Sequence, residues 1–279
     1  MPTVERNLTL WDDEHEWPLS GDEWSDNWGG TQAQWYGCIL PRIANLIPAA
    51  HILEVAPGYG RWTQFLQTYA TTLTVVDLAP SCIAACRSRF AGLQHLRYHV
   101  NDGRSLEMIE DDSLDFVFSF DSLVHADADT MRSYCHQLGR KLRVGGTGFL
   151  HHSNLGAYKR WLAAKRTVVT LCRGYSRLGN LLIHDCMRAP EMTASLMVRF
   201  CQESGLTCTA QEIIPWGSSR RPIDCFTVFK KEKTPVPRPC PVFVNYGFVH
   251  EAANTKRLSL LYRGSNPRAV QPPGRRLPP

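Results

Sequence analysis

The chain has 279 residues, 43% of them hydrophobic and 20% charged, with a formal net charge of +5. That length allows one sizeable core with appendages, and the composition is that of a globular rather than an intrinsically disordered protein. The apolar runs fall well short of the ~20 residues a membrane-spanning helix needs, and the opening MPTVERNLTLWDDEHEW lacks a basic patch followed by an apolar core; the expected address is the cytoplasm, with no membrane span.

Taken in chain order, the first fifty residues carry tryptophans at 11, 17, 24, 28 and 35 among acids and glycines. Pro18, Gly21, Gly29 and Gly30 rule out one regular helix there, and a helix is expected from Gln32 to Leu46. Short apolar runs then alternate with helical stretches. HILEVA (51–56) reads as a buried strand, followed by a glycine turn and a helix over about 61–69. LTVVD (73–77) is a second strand, and Pro80–Ser81 opens a helix to about Phe90. LRYHV (96–100) and LDFVFSF (114–120) follow as strands, then a helix over 127–142 and a fifth strand, TGFLHH (147–152). Strands alternating with helices of this length imply a parallel sheet covered on both faces. After Gly205 the texture changes to two strands, LTCTAQEII (206–214) and DCFTVFKK (224–231), joined by a proline- and glycine-containing loop. The fold class is therefore α/β: a Rossmann-like, mostly parallel seven-stranded sheet ending in an antiparallel pair.

Three regions are expected: a Trp-rich N-terminal arm and helix (1–48), a main domain (49–233) with an inserted substrate lid at about 153–189, and a Pro/Arg-rich tail (234–279) largely outside the fold and poorly ordered, with its VFVNYGFV stretch (242–249) left open to pack on the domain. Of the lid, the side chains Tyr158, Arg160 and Trp161 are candidate substrate contacts, because an insertion at the carboxyl edge of a parallel sheet falls where such folds bind ligands. The 10 cysteines include no C-x-x-C pair and read as reduced, mostly buried thiols.

The segment Glu54-Val-Ala-Pro-Gly58-Tyr-Gly60 joins the first strand to a helix. Glycine suits a turn where backbone must approach a bound nucleotide, and the helix N-terminus presents unpaired N–H groups. Asp77 ends the next strand, where a carboxylate can accept from both hydroxyls of a ribose, and Asn101–Asp102–Gly103 ends the third. A dinucleotide site would want a third glycine where Thr63 stands, which disfavours an oxidoreductase.

The series ILEVAPGYGRWTQFL, TVVDLAP, VNDG and LDFVFSFDSLVHAD resembles the motifs of class I S-adenosylmethionine-dependent methyltransferases over about 50–152, extended to about 231 by the strand pair. The resemblance implies S-adenosyl-L-methionine as cofactor and S-adenosyl-L-homocysteine as product. It implies Gly58 and Gly60 beneath the methionine portion, Asp77 with Leu78 at the ribose, Asp102 and Gly103 at the adenine, and Phe120 in the same pocket. Glu54 would hold the glycine loop or contact the cofactor amine through water. Ala56 stands where the family has its first glycine, the smallest available departure.

Candidate catalytic residues are those at the sheet's carboxyl edge: Asp121 and His125 after the fourth strand, His151 and His152 at the end of the fifth. Adjacent strand residues face opposite ways, so one of the two histidines faces the site. His125 or His152 is the expected general base, oriented by Asp121, with His151 counted among the substrate contacts. No run of carboxylates supports a metal, and none is expected. The Trp-rich leader together with HHSNLGAY and MRAPEMTA resembles bacterial methyltransferases of glycan and natural-product pathways, which implies O-methylation of a sugar hydroxyl in a glycan or glycosylated small molecule. The alternative is N- or O-methylation of a peptide or secondary metabolite. A non-catalytic cofactor-binding module or a nucleic-acid partner ranks below both, and a homodimer is compatible with the sequence.

Overall fold

The computed structural model describes residues 3–164, 187–217, 220–234 and 238–262. Its strands are β1 (Ala49–Val55), β2 (Ala70–Asp77), β3 (Leu96–Val100), β4 (Leu114–Ser119), β5 (Leu142–Ser153), β6 (Leu206–Ile214), β7 (Asp224–Lys231) and β8 (Val242–Val244). They form one sheet in the order β3-β2-β1-β4-β5-β7-β6-β8. All pairings are parallel except those of β7, which runs antiparallel to β5 and β6. The Rossmann-like α/β expectation holds, with eight strands among the described residues rather than seven.

Alternation along the strands builds a core on each face of the sheet. Ile52, Phe116, Phe118 and Phe149 join one core with Trp35, Ile39 and Ile43 of an N-terminal helical run, composed of α2 (Thr31–Gln34), a π turn (Trp35–Ile39) and α3 (Leu40–Ile43). Their neighbours Leu53, Val117 and Leu150 point the other way, onto two longer helices. The first of these spans Ala128–Lys141, and its Asp127 cap accepts the Thr130 N–H at 2.7 Å. The second spans Ala194–Glu203, where Thr193 caps through the Leu196 N–H. Met131, Tyr134, Cys135 and Leu138 are buried on one stripe of the first helix, the 3.6-residue period of an amphipathic helix.

The tail expectation is corrected for 238–262. Residues Val242–Val244 extend the sheet along β6, fastened by Gln211 N–H to Pro241 O (2.8 Å) and Asn245 N–H to Ile213 O (2.9 Å). A helix, Phe248–Tyr262, follows, hereafter the C-terminal helix. Its Phe248 is buried, stacked on Trp216 and set edge-on to Trp28. Arg42 ties it down by donating to Glu212 on β6 and Glu251 on the helix, at 2.7–3.0 Å, with its guanidinium over the Phe226 and Phe248 rings. A proline- and arginine-rich composition suggested disorder, but an open sheet edge and an aromatic seat supplied burial that composition does not reveal. Residues 263–279 lie outside the described residues, as does 165–186 of the expected lid. No described helix is long and apolar enough to cross a membrane.

Candidate active site

The chain order reverses between β1 and β4, and ligands of open α/β sheets sit at the carboxyl ends of the strands flanking such a reversal. A cavity of about 1170 Å³ opens there. It lies slightly above the ~300–1,000 Å³ of ordinary ligand pockets. Its floor is Ala56–Tyr59, Arg61 and Trp62 after β1, Asp77 and Leu78 after β2, Gly103 after β3, and Phe120–Leu123 with His125 after β4.

The glycine turn runs through three left-handed residues, Ala56 (φ +57°), Gly58 (+56°) and Gly60 (+84°). For Ala56 that conformation costs ~1–2 kcal/mol. Two hydrogen bonds hold it: its N–H donates to Val76 O at 2.7 Å, and its carbonyl accepts from Ser122 Oγ at 2.8 Å. A Cβ on Gly60 would stand 2.5 Å from the Phe90 ring, and one on Gly58 would stand 3.0 Å from the ring of Trp17.

Two carboxyls sit under this turn in different states. Glu54 is fully buried on the β1 face that also carries Ile52, with one oxygen accepting from Thr63 Oγ1 at 2.6 Å and the other without a partner. Burial pushes its pKa up to about 8, so it is mostly protonated at neutral pH. Asp77 lines the cavity and accepts from the N–H groups of Ala79 (2.9 Å) and Gly58 (3.2 Å). Burial raises its pKa only to about 6, because those backbone donors favour the charged form, so it is mostly ionised at pH 7. Asp77 is thus the acid at this turn that carries charge, and it lines the cavity as a hydrogen-bond acceptor.

Asp102 does not line the cavity. Its carboxylate accepts the N–H groups of Arg104 and Ser105 at 2.9 and 2.6 Å, an Asx-type turn facing outward. Gly103 beside it does line the cavity, with Val4 of the N-terminal arm packed over it. The adenine role expected for Asp102 is therefore corrected; a short side chain in a turn satisfied its own backbone first.

The histidines separate cleanly. His152 is fully buried on the face away from the cavity, with Nε2 at 2.7 Å from Thr227 Oγ1 and Nδ1 at 2.9 Å from Ser153 O. It is removed as a candidate base. His151 faces the other side but lies behind Phe120 and Trp216, off the cavity wall. The Asp121 N–H donates to its Nδ1 at 3.1 Å, which fixes the ring hydrogen on Nε2, facing Asp224 at 3.2 Å. His125 lines the cavity, with Nδ1 at 3.0 Å from Met187 O, so Nδ1 donates and Nε2 keeps its lone pair. Burial, then the nearby Arg188 charge, lowers its pKa to about 4. Asp121 does not orient His125. Its carboxylate meets Arg61 at 3.1 Å and Arg188 at 3.5 Å. Arg188 in turn pairs with buried Asp224 at 2.8 Å; burial alone would raise that acid, yet Arg188 and His151 hold it at about 2.

The expected substrate contacts Tyr158, Arg160 and Trp161 are off the cavity wall; Tyr158 and Trp161 pack with Leu155, Leu162 and Ile223, and Arg221 lies over the Trp161 ring. The wall instead uses the leader, where Trp11, Trp17, Trp24 and Trp28 all face the cavity, Trp17 stacked on Tyr59 and Trp11 against His125. Arg61, Arg188, Trp216 and, from the C-terminal helix, Phe248 and Lys256 complete it. Arg61 directly follows Gly60 and was legible in the sequence. The other four lie more than a hundred residues beyond the glycine turn, with no spacing to signal them.

Residues 52–146 match the family model of a methyltransferase domain. No curated protein matches the chain. Among solved structures, the chain is similar to the N-methyltransferase NodS from Bradyrhizobium japonicum WM9 in complex with S-adenosyl-l-homocysteine, at 17% identity and a TM-score of 0.51, covering 82% of this chain and 96% of that one. It is also similar to DhpI in complex with the same product, at 14% identity and a TM-score of 0.52, covering 83% and 98%. Identities this low speak to the fold. The family match adds that residues 52–146 are similar in sequence to a methyltransferase domain, and both of these neighbours hold S-adenosyl-l-homocysteine.

Proposed function

We propose that this chain is an S-adenosylmethionine-dependent methyltransferase whose acceptor is a small molecule held between the β4 edge and the aromatic leader, and that this acceptor is a sugar hydroxyl. The observation that carries the cofactor half is Asp77: an ionised acid at the tip of β2, facing a glycine turn whose N–H it already holds. The residues fit the group. Glycine at 58 leaves the turn open beneath Trp17, Asp77 supplies the acceptor for a diol, and Leu78 and Gly103 give apolar and backbone surface for a flat base. When bound, the donor supplies an electrophilic methyl carbon.

The chain's own work is positioning and exclusion of water. Aligning donor and acceptor in a near-attack arrangement is worth up to ~7–11 kcal/mol in well-oriented systems. Trp11, Trp17 and Trp24 give flat apolar faces of the kind that stack on sugar rings. His125 presents a hydrogen-free Nε2 to the cavity and accepts the hydroxyl proton as the new bond forms. Arg61 and Arg188 neutralise Asp121, which keeps the floor after β4 from repelling an electron-rich acceptor.

A second reading has one specific observation behind it. With a pKa of about 4, His125 is a weak base for an alcohol. An amine that arrives neutral needs only its lone pair, which favours N-methylation of an amine, the activity named for NodS. Calorimetry with S-adenosylhomocysteine tests the cofactor, with binding expected and absence of heat refuting the reading. Labelled donor offered with nucleotide sugars and glycans, or with amines and peptides, then separates the two acceptors.

A further inference from the structure

We propose that Cys208 and Cys240 form a disulfide under oxidising conditions, which fastens the start of the C-terminal strand-and-helix segment to β6. The two Sγ atoms stand 2.9 Å apart, well inside contact distance, across 32 residues of sequence. Neither faces its partner by accident of a flexible loop. Cys208 lies on β6 at a bulge, where the register against β7 shifts between Cys208 and Ala210, and it is buried. Cys240 immediately precedes Pro241, whose carbonyl accepts the Gln211 N–H at 2.8 Å, so the approach of the C-terminal segment to β6 is set by backbone hydrogen bonding. Cys240 is partly exposed, giving a solution oxidant access to one member of the pair. Cys135 and Cys201, which also neighbour one another, are both buried between the two long helices and lack that access.

The location gives the bond a consequence. The β8 ladder is only three residues long, and the helix after it contributes Phe248, Val249, Ala252 and Lys256 to the cavity wall. Hydrogen bonds, the Arg42 ion pairs and Phe248 packing hold that wall; a covalent link at Cys240 anchors the start of the segment that carries it. The reaction balances with a small-molecule disulfide such as oxidised glutathione as oxidant. The Cys240 thiolate attacks one glutathione sulfur and releases the first glutathione thiolate. The Cys208 thiolate then attacks the Cys240 sulfur and releases the second, and the two thiol protons pass to the two leaving groups.

The test uses the full chain with oxidised glutathione, followed by alkylation of remaining thiols and peptide mapping. The expected result is a crosslinked 208–240 peptide pair lighter by two hydrogens, formed faster as pH rises, since burial holds both thiols above the ordinary cysteine value and the thiolate is the attacking species. The oxidised protein should have a higher Tm than the reduced protein, and Cys240→Ser should remove both the crosslink and the Tm difference. A stable glutathione adduct on Cys240 without the crosslink, Cys240 paired to another cysteine, or equal Tm values for the two forms would each overturn the proposal. None of these outcomes depends on the methyltransferase reading.

Discussion

Asp77→Asn probes the cofactor site with little change of shape. In the folded protein the Asp77 carboxylate accepts two backbone N–H groups and borders the cavity. An amide has one oxygen, so the variant loses one charged acceptor toward the ligand diol. A hydrogen bond to a charged group contributes ~1.5–3 kcal/mol, so affinity for S-adenosylhomocysteine should fall by roughly 10–150-fold. The pH dependence is a second, independent signature. Asp77 titrates at about 6, above the ordinary carboxylate value. Protons compete with the diol for the same oxygens, so wild-type affinity should be flat above about pH 7 and decline by up to tenfold per unit below about pH 6. The variant should lack that limb. Titration calorimetry across this range reads both, with circular dichroism melts confirming that the variant is folded. Variant affinity within about threefold of wild type, or an acid limb that survives the substitution, would refute the placement of the ribose on Asp77.

His125→Ala should spare donor binding and lower turnover by ~10²–10⁴-fold if the acceptor is a hydroxyl, and by much less if it is a neutral amine; steady-state kinetics on the identified acceptor reads the difference. His152→Ala should leave the turnover of folded protein intact while costing ~2–3 kcal/mol of stability, since it removes a buried ring and its two hydrogen bonds. Both histidines have folded-state pKa values of about 4, below the unfolded 6.5. Their contribution is therefore complete above about pH 6.5 and is lost as pH falls through 4, a decline that denaturant melts should show and that His152→Ala should lessen. Gly60→Ala should lose ~2 kcal/mol or more, because it adds a Cβ against the Phe90 ring and keeps a φ of +84°; an unchanged Tm would contradict the close approach. Arg42→Ala should release the C-terminal helix from Glu212 and Glu251, leaving two half-buried carboxylates without their partner. Limited proteolysis after Lys256 or Arg257 should then become faster, and acceptor KM should rise more than donor affinity falls.

The local signals in the sequence were sufficient for seven of the eight described strands and for the turn and acid proposed to hold the donor. Short apolar runs placed seven strands within about five residues of their observed ends, because strands buried on both faces read as nearly continuous apolar stretches. The turn after β1 and the acid ending β2 needed only glycine chemistry and spacing, so Ala56, Gly58, Asp77 and Leu78 fall on the cavity, while Gly60 closes the turn against Phe90. Only the tertiary structure could decide the rest. Whether His151 or His152 faced the site depended on register against β4 and β7, and a one-residue change reverses every side chain on a strand. Asp102 was drawn to its own backbone, a competition that spacing does not show. The rest of the cavity wall is assembled from the leader, from Arg188 and Trp216, and from a helix near the end of the chain. Those pieces meet because an exposed β6 edge and a set of aromatic faces offered burial to distant segments, and the free energy of such docking belongs to the surfaces that meet rather than to the sequence pattern of either one.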